Sequence, residues 1–483
     1  MSSPNGSSKA GWSKFDWKTV TVFVALVFIG LINIFAAVYN ESAVEGLSLS
    51  SRYGMQFLWI GISSVVATVI LFIDDIYYHQ LAYPSYVLML LVLMATLVVG
   101  KEVNGAKSWL SFGSVAIQPA EFMKVATALA LARFMSDYSF SFGRTRDVIG
   151  VGALLLVPIG IILMQNDMGS ALVYCSFLIV CYREGLNGWV YYALFLVVGL
   201  FVGSFLIEPV VLLLILILLF VVSQYLSNHN LHQSVKFVAG VLLLSLAVYV
   251  VGWLASWELS YYHSLLFSSV AMLVPALFYA YRNKLPTIYL FALMFVGSLV
   301  FLGLVDFVFN DVLQLHQQKR ILDLLGLESD LKGWGYNVHQ SKIAIGSGGF
   351  WGKGFLEGTQ TKYDFIPEQS TDFIFCTVGE EWGFVGSIVV LVLFATLIIR
   401  LMKMAERQHE PFRRVYCYSV AGIFLFHTII NVGMTIGLMP VIGIPLPMFS
   451  YGGSSLLAFT VLFFIAVRLD SQNSTIGSTY NKF

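Results

Sequence analysis

Charge is what this sequence has least of. Only 11% of its 483 residues are Asp, Glu, Lys or Arg, where soluble domains carry about 25%. Lys+Arg and Asp+Glu are both 27, so net charge argues against a polyanionic partner such as nucleic acid. Cysteine is scarce as well. Cys175, Cys181, Cys376 and Cys417 form no C-x-x-C pair, which argues against a disulfide framework and a metal site. They read as buried thiols in apolar segments. His427 and the other histidines show no ligand spacing, so a zinc site is not expected. The chain has no fixed-period repeat and no low-complexity segment. What it has is apolar sequence, 58% of all residues, with a mean hydropathy of +0.81. That composition predicts an all-α, polytopic membrane protein.

A span needs about 20 mostly apolar residues. Fourteen candidates occur, from Thr19–Tyr39 to Met448–Val467. The fourth is Ile117–Phe134. The sixth, Gly169–Tyr182, and the eighth, Val210–Tyr225, are short, and the Glu208-Pro209 break between the seventh and eighth is the weakest boundary. The first apolar run is too long for a signal-peptide core, so it reads as a retained helix. With the N-terminus in the cytoplasm, inside connections hold Arg144, Arg146, Arg183, Arg282, Lys284, Arg400, Lys403, Arg407, Arg413 and Arg414. The short outside connections hold only Arg52, Lys101 and Lys107. This is a positive-inside pattern with both termini cytoplasmic.

The expected organisation follows. A cytoplasmic tail covers 1–18 and a first membrane bundle 19–188. Further helices occupy 189–286 and a single helix 287–309. A long extracytoplasmic loop fills 310–372, C-terminal helices 373–468, and a tail 469–483. In this topology four polar, glycine- or proline-marked stretches share the outer face. They are Asn104–Pro119, Gln165–Gly169, the long loop, and Gly437–Ser455. The loop is rich in Trp, Tyr, Phe and Ile among its polar residues, unlike a linker. Such a long ordered loop on a membrane scaffold points to function.

Several residues carry candidate chemistry, each with a structural alternative. Asp330 in ESDLKGWGYN suits a general base, or a turn residue serving nearby amides. Asp167 in QNDMGS suits a cavity carboxylate, or a helix cap. Glu121 and Lys124 lie within a span at i, i+3 and can pair; ionisable groups there face a cavity or a partner. Gln340, Lys342, Lys353 and Gln360 lie among the loop glycines, where amides and ammonium groups together suit a diphosphate; solvated loop charge is the alternative. Trp109, beside Lys107, is an interfacial anchor or a sugar-stacking platform. Glu368 and Asp372 belong to IPEQSTDF, where capping accounts for Asp372. Glu380, about two turns into the next span, needs a polar partner. Ser450 in PLPMFSYGG completes the substrate-binding candidates.

Taken together, these stretches resemble the SEDS family (shape, elongation, division and sporulation). The matching pieces are NGAKSWLSFGSVAIQPAEFMKVA, QNDMGSAL, GYNVHQSKIAIGSGGFWGKGFLEGTQTKYDFIPEQSTDFIFCTVGEEWGFVGS and NVGMTIGLMPVIGIPLPMFSYGGSSLL. GKGFLEGTQT favours the rod-shape branch over the division branch. The resemblance implies a glycosyltransferase of the bacterial inner membrane that polymerises lipid II on an undecaprenyl diphosphate carrier. It implies a class B penicillin-binding transpeptidase and other elongation-machinery membrane proteins as partners. Asp330 matches the family's essential loop aspartate, and Asp167, Glu121 and Lys124 match its cavity residues. Three departures stand out. Leu331 follows Asp330 where the family has proline. Lys107-Ser108 replaces a basic pair. About four extra spans, between Trp189 and Ala280, are added to a core of ten.

The reading is therefore a peptidoglycan glycosyltransferase, with Asp330 taking the acceptor proton and basic groups stabilising the departing diphosphate. A divalent cation, Mg or Mn, is compatible with diphosphate chemistry. A lipid II flippase would need polar groups on both faces and through the middle, and here they concentrate outside. The two-halves symmetry of many transporters is not visible either. A non-catalytic scaffold would tolerate substitution of Asp330.

Overall fold

The computed structural model describes residues 15–39, 52–103, 105–112, 115–257, 260–313, 335–362 and 365–480, together with Gln318 and Leu322. The chain forms two compact units, residues 1–186 with 329–483, and residues 187–328. The second unit contains the expected additional helices 189–286 and also the next helix.

The first unit opens with α1 (Trp17–Val38), whose cap Asp16 accepts a hydrogen bond from Thr19 N at 3.3 Å. Next come α2 (Arg52–Phe72) and α3 (Asp75–Val99). A small antiparallel sheet follows, made of β1 (Lys101–Val103), β2 (Ala106–Phe112) and β3 (Val115–Ile117). Lys101 pairs with Trp109 and Leu110 with Ile117. The expectation of a purely helical chain missed this sheet, because AKSWLSF does not alternate apolar and polar residues and so gives no strand signal. α4 (Pro119–Met135) starts on a proline, whose missing N–H is harmless in a first turn. α5 (Thr145–Met164), α6 (Met168–Val173) and, after one 3₁₀ turn, α7 (Phe177–Arg183) complete this half.

The second unit is a bundle of α8 (Gly188–Leu206), α9 (Pro209–Asn228), α10 (Leu231–Leu254), α11 (Tyr261–Asn283) and α12 (Pro286–Phe307), extended by a π turn at Val308–Val312. Its core includes Leu213, Leu216, Phe220, Val241, Leu265 and Phe291. The Glu208-Pro209 break separates two helices, with Pro209 at the first position of α9, and the eighth span is not short as expected but a full 20 residues, because the helix runs on through the polar Ser227 and Asn228.

The first unit resumes with α13 (Gly335–Ser347), α14 (Thr359–Lys362), α15 (Ile374–Glu381), α16 (Gly383–Glu406), α17 (Pro411–Thr435) and α18 (Gly453–Tyr480). α18 runs past the expected helix end at 468. α4 and α17 pack together at the centre of this unit and are buried along most of their length.

Among the described residues, twelve helices are long and apolar enough to cross a membrane. The other two of the fourteen expected spans are helical but short. α4 has 17 residues, and the segment Met168–Arg183 is interrupted by its 3₁₀ turn. Both lie against other helices, so neither needs a lipid-matched length. One expectation for the thiols is corrected. Cys181, Cys376 and Cys417 are buried, but Cys175 is exposed, because the 3₁₀ turn rotates it off the packed face.

Six arginines of the first unit, five of them from the expected inside connections, form ion pairs that link its helices. Arg183 pairs with Glu406, Arg400 with Asp16, Arg407 with Asp470, Arg413 with Asp75, Arg414 with Glu184, and Arg468 with Asp74. The polar stretches described next gather in the same unit.

Candidate active site in the first unit

Lys124, one turn into α4, is a fully buried charged group, 0% exposed. Its Nζ donates to Glu121 Oε1 at 2.9 Å and lies 3.0 Å from His427 Nε2 on α17. The Phe459 ring of α18 faces it at 5.2 Å, within cation–π range. His427 Nδ1 lies 3.0 Å from the Pro445 carbonyl oxygen. The pairing read from i, i+3 spacing is thus present. Glu121 sits in the first turn of α4, where the helix dipole favours an anion. Its Oε2 is buried without a hydrogen-bond partner among the described residues. Such an acceptor is costly unless something supplies a donor.

Asp167 joins the start of the same helix, α4, through its cap residue, Gln118. Its Oδ1 caps α6, accepting from Ser170 N at 3.0 Å. Its Oδ2 accepts from Ser170 Oγ at 2.9 Å and from Gln118 Nε2 at 2.8 Å. The capping and cavity readings therefore describe one carboxylate. The same turn holds the sheet, since Lys107 N donates to Gln165 O at 2.9 Å. The Lys107 side chain is exposed and Trp109 is half-buried.

The proline-rich segment comes next. A Cβ at Gly169 would lie 2.8 Å from the Ile442 carbonyl oxygen, so only glycine allows this approach. Asn431 Nδ2 donates to both Ile444 O at 2.7 Å and Asp372 O at 2.8 Å. Tyr451 N donates to Ser370 O at 2.8 Å, and Arg52 to Ser370 Oγ at 2.7 Å. All four polar stretches are thereby linked through direct contacts.

Asp372 departs from its expected role. The cap of α15 is Phe373, and no side chain caps that helix. The Asp372 carboxyl instead lies near Gly443. Burial, helped by the negative charges of Glu368 and Asp167, pushes it up to about 7.

The loop lysines divide. Lys353 is not a free cation. Its Nζ lies 2.7 Å from Glu380 Oε1, and that carboxylate also accepts from the amides of Thr359, Gln360 and Thr361 at 2.8, 2.9 and 2.9 Å. Glu380 has its polar partners, but it lies in the short α15, before the span Gly383–Glu406 rather than two turns into it, because the helix breaks at Trp382. Gly352, at φ +83°, lies directly against the Glu381 carbonyl, a conformation and a closeness that demand glycine. Gln360 is half-buried in this anchor. Lys342 is exposed on α13 and lies over Gly437, with half-buried Gln340 two residues before it. Glu368 is exposed, with φ +54°, and accepts from Thr371 Oγ1 at 3.1 Å. Ser450 is buried, its hydroxyl accepting from Leu446 N at 2.8 Å. Asp330 and Leu331 lie outside the described residues.

Sequence reasoning missed His427, Gln118, Asn431 and the role of Asp372. A signal existed for two of them. His427 and Asn431 are polar residues four apart in an apolar helix, hence on one face. For a metal, the described residues offer no group of three or more His, Cys, Asp or Glu side chains arranged to hold one. Both Asp167 oxygens already accept hydrogen bonds. These residues do not fit a protein-caged cation.

The fold and the site define a multi-pass membrane protein with a polar, partly charged interior in its main helical unit. The chain belongs to the family of cell cycle proteins that groups FtsW, RodA and SpoVE, which matches residues 16–215 and 200–475. It is 34% identical to the peptidoglycan glycosyltransferase RodA of Treponema pallidum, over 92% of this chain and 95% of that one. It is 28% identical to the peptidoglycan glycosyltransferase MrdB of Escherichia coli K12, over 98% and 99%. A chain from a peptidoglycan synthase complex that coordinates polymerization and crosslinking shares the fold, with TM-score 0.62, 24% identity and coverage of 96% and 99%. So does the rod shape determining protein RodA of Thermus thermophilus, with TM-score 0.54, 23% identity and coverage of 95% and 97%.

Proposed function

We propose that this chain is a peptidoglycan glycosyltransferase of the bacterial inner membrane. It joins lipid II disaccharide units into glycan strands during elongation and rod-shape maintenance, and releases undecaprenyl diphosphate. The observation that carries this reading is the convergence of the four polar stretches in one unit, next to the buried Glu121–Lys124 pair. A carrier lipid needs an apolar surface, and its sugar diphosphate needs donors and acceptors that water does not fill. Lys124, Lys342 and Lys107 supply positive charge toward the diphosphate. Glu121 Oε2 and Asp167 suit the sugar hydroxyls. Asp330 acts as general base, drawing the proton from the acceptor hydroxyl as the glycosidic bond forms and the diphosphate departs. A divalent cation, Mg or Mn, would supply neutralising charge for the departing diphosphate.

The relatives support this role, since two of them are named peptidoglycan glycosyltransferases. A class B penicillin-binding transpeptidase is the proposed partner, in keeping with the synthase complex that shares the fold. The test is polymerisation of labelled lipid II by purified protein, alone and with that partner, comparing wild type with Asp330→Asn. Loss of a general base costs about 10²–10⁴-fold in rate. A folded Asp330→Asn protein that still makes glycan at the normal rate removes Asp330 from the mechanism. A wild-type protein that moves lipid II across vesicles without polymerising it makes the chain a flippase instead.

A further inference from the structure

We propose that His427 is a positioning residue that holds the Lys124 ammonium group in place for the lipid-linked diphosphate. This rests on the reading of the Glu121–Lys124 pair as substrate-facing.

The imidazole is fixed at both nitrogens. Nδ1 lies 3.0 Å from the carbonyl oxygen of Pro445. A carbonyl only accepts, so Nδ1 carries the ring proton and donates it there. Nε2 is then left with its lone pair, and the Lys124 ammonium group donates to it at 3.0 Å. The ring cannot turn to another partner without losing both bonds. Phe459 also meets it edge-on, with centroids 4.9 Å apart at 87°. His427 is 1% exposed and Lys124 is 0% exposed, so water replaces neither bond.

The ammonium group has three donors. Glu121 Oε1 takes one at 2.9 Å and His427 Nε2 another at 3.0 Å. These acceptors come from α4 and α17, and the Phe459 face comes from α18. A lysine stem has four rotatable bonds, and two acceptors on different helices remove most of that freedom before substrate arrives. Binding and catalysis both gain when a charge is fixed in advance. The Pro445 bond adds a link to the Gly437–Ser455 stretch, whose neighbouring Ile442 and Ile444 carbonyls approach Gly169 and Asn431. Movement of that stretch is thus passed to the lysine through one rigid ring. The arrangement requires a neutral imidazole, because a protonated ring would set a second cation against Lys124 and remove the acceptor.

The test is lipid II polymerisation by purified His427→Gln, His427→Leu, Lys124→Gln and the double variant His427→Leu/Lys124→Gln. Glutamine keeps an oxygen acceptor for Lys124 and an amide donor for Pro445. Leucine keeps bulk and removes both. His427→Leu is expected to lower kcat/KM about 10–100-fold, as lost supporting contacts do, and His427→Gln to recover most of it. In the Lys124→Gln background, His427→Leu is expected to add less than a threefold further loss, because its effect passes through the lysine. Equal losses from His427→Leu in both backgrounds overturn the proposal. If the leucine protein does not fold, His427→Phe against His427→Gln decides, and equal activity of those two overturns it. A Lys124→Gln protein of normal activity overturns the substrate-facing reading of the pair itself, and the proposal with it.

Discussion

Replacing Glu380 by alanine should release the glycine-rich loop without unfolding the bundle. The Glu380 side chain is 0% exposed, and Lys353 reaches it from a position 26% exposed. Besides the lysine, one carboxylate accepts from the amides of Thr359, Gln360 and Thr361, and from Thr359 Oγ1 at 3.2 Å. These are the first amides of α14, so the anion also meets that helix's positive end. Hydrogen bonds to a charged group contribute about 1.5–3 kcal/mol each, but bonds to one carboxylate are not additive. Removing one partner of a buried pair costs about 3–5 kcal/mol. The lower figure converts to roughly a 10²-fold rise in local opening, since each 1.4 kcal/mol is a factor of ten. Hydrogen exchange at residues 359–361 reads that opening directly, and limited proteolysis across 348–362 reads it independently. Helices α4 and α17 should keep wild-type protection. Lys353→Met should give a smaller effect, because the three amides keep their acceptor. Unchanged exchange at 359–361 in Glu380→Ala refutes the idea that this carboxylate pins the loop.

Other consequences follow from the same geometry. Glu121→Leu strands the Lys124 ammonium group in the interior, so thermal stability in detergent should drop by an amount equivalent to about 3–5 kcal/mol; an unchanged midpoint shows that His427 alone satisfies the lysine. The Asp372 carboxyl, raised to about 7, stabilises the fold in its neutral form, an effect complete below about pH 4 and lost as pH rises through about 7. Asp372→Asn keeps a neutral group, so it should be more stable than wild type at pH 8, by about 2 kcal/mol after solvent relaxation, and equal to it near pH 4; parallel unfolding curves at every pH refute this. Cysteines placed at Lys353 and Arg407 should be labelled from opposite sides of the membrane, because the two belong to the polar stretches and to the arginine connections; labelling of both from one side overturns the topology.

Much of this protein was legible in the sequence because lipid imposes a one-dimensional rule. A crossing helix must be apolar over its length, so spans from Trp17–Val38 to Gly453–Ser471 announce themselves by hydropathy. Arginine placement then sorted the connections into expected inside and outside, and the Glu121–Lys124 pair followed from helical spacing alone. The short α4 and the broken Met168–Arg183 segment were counted as spans, since apolar content does not distinguish contact with lipid from contact with protein. The distant pairings were decided only by tertiary structure. His427 meets Lys124 across 303 positions, Asp372 sits near Gly443 instead of capping α15, and Lys353 spends its charge on Glu380. Each of these depends on which helices become neighbours. A sequence states that a buried charge needs a partner, and only packing in three dimensions selects it.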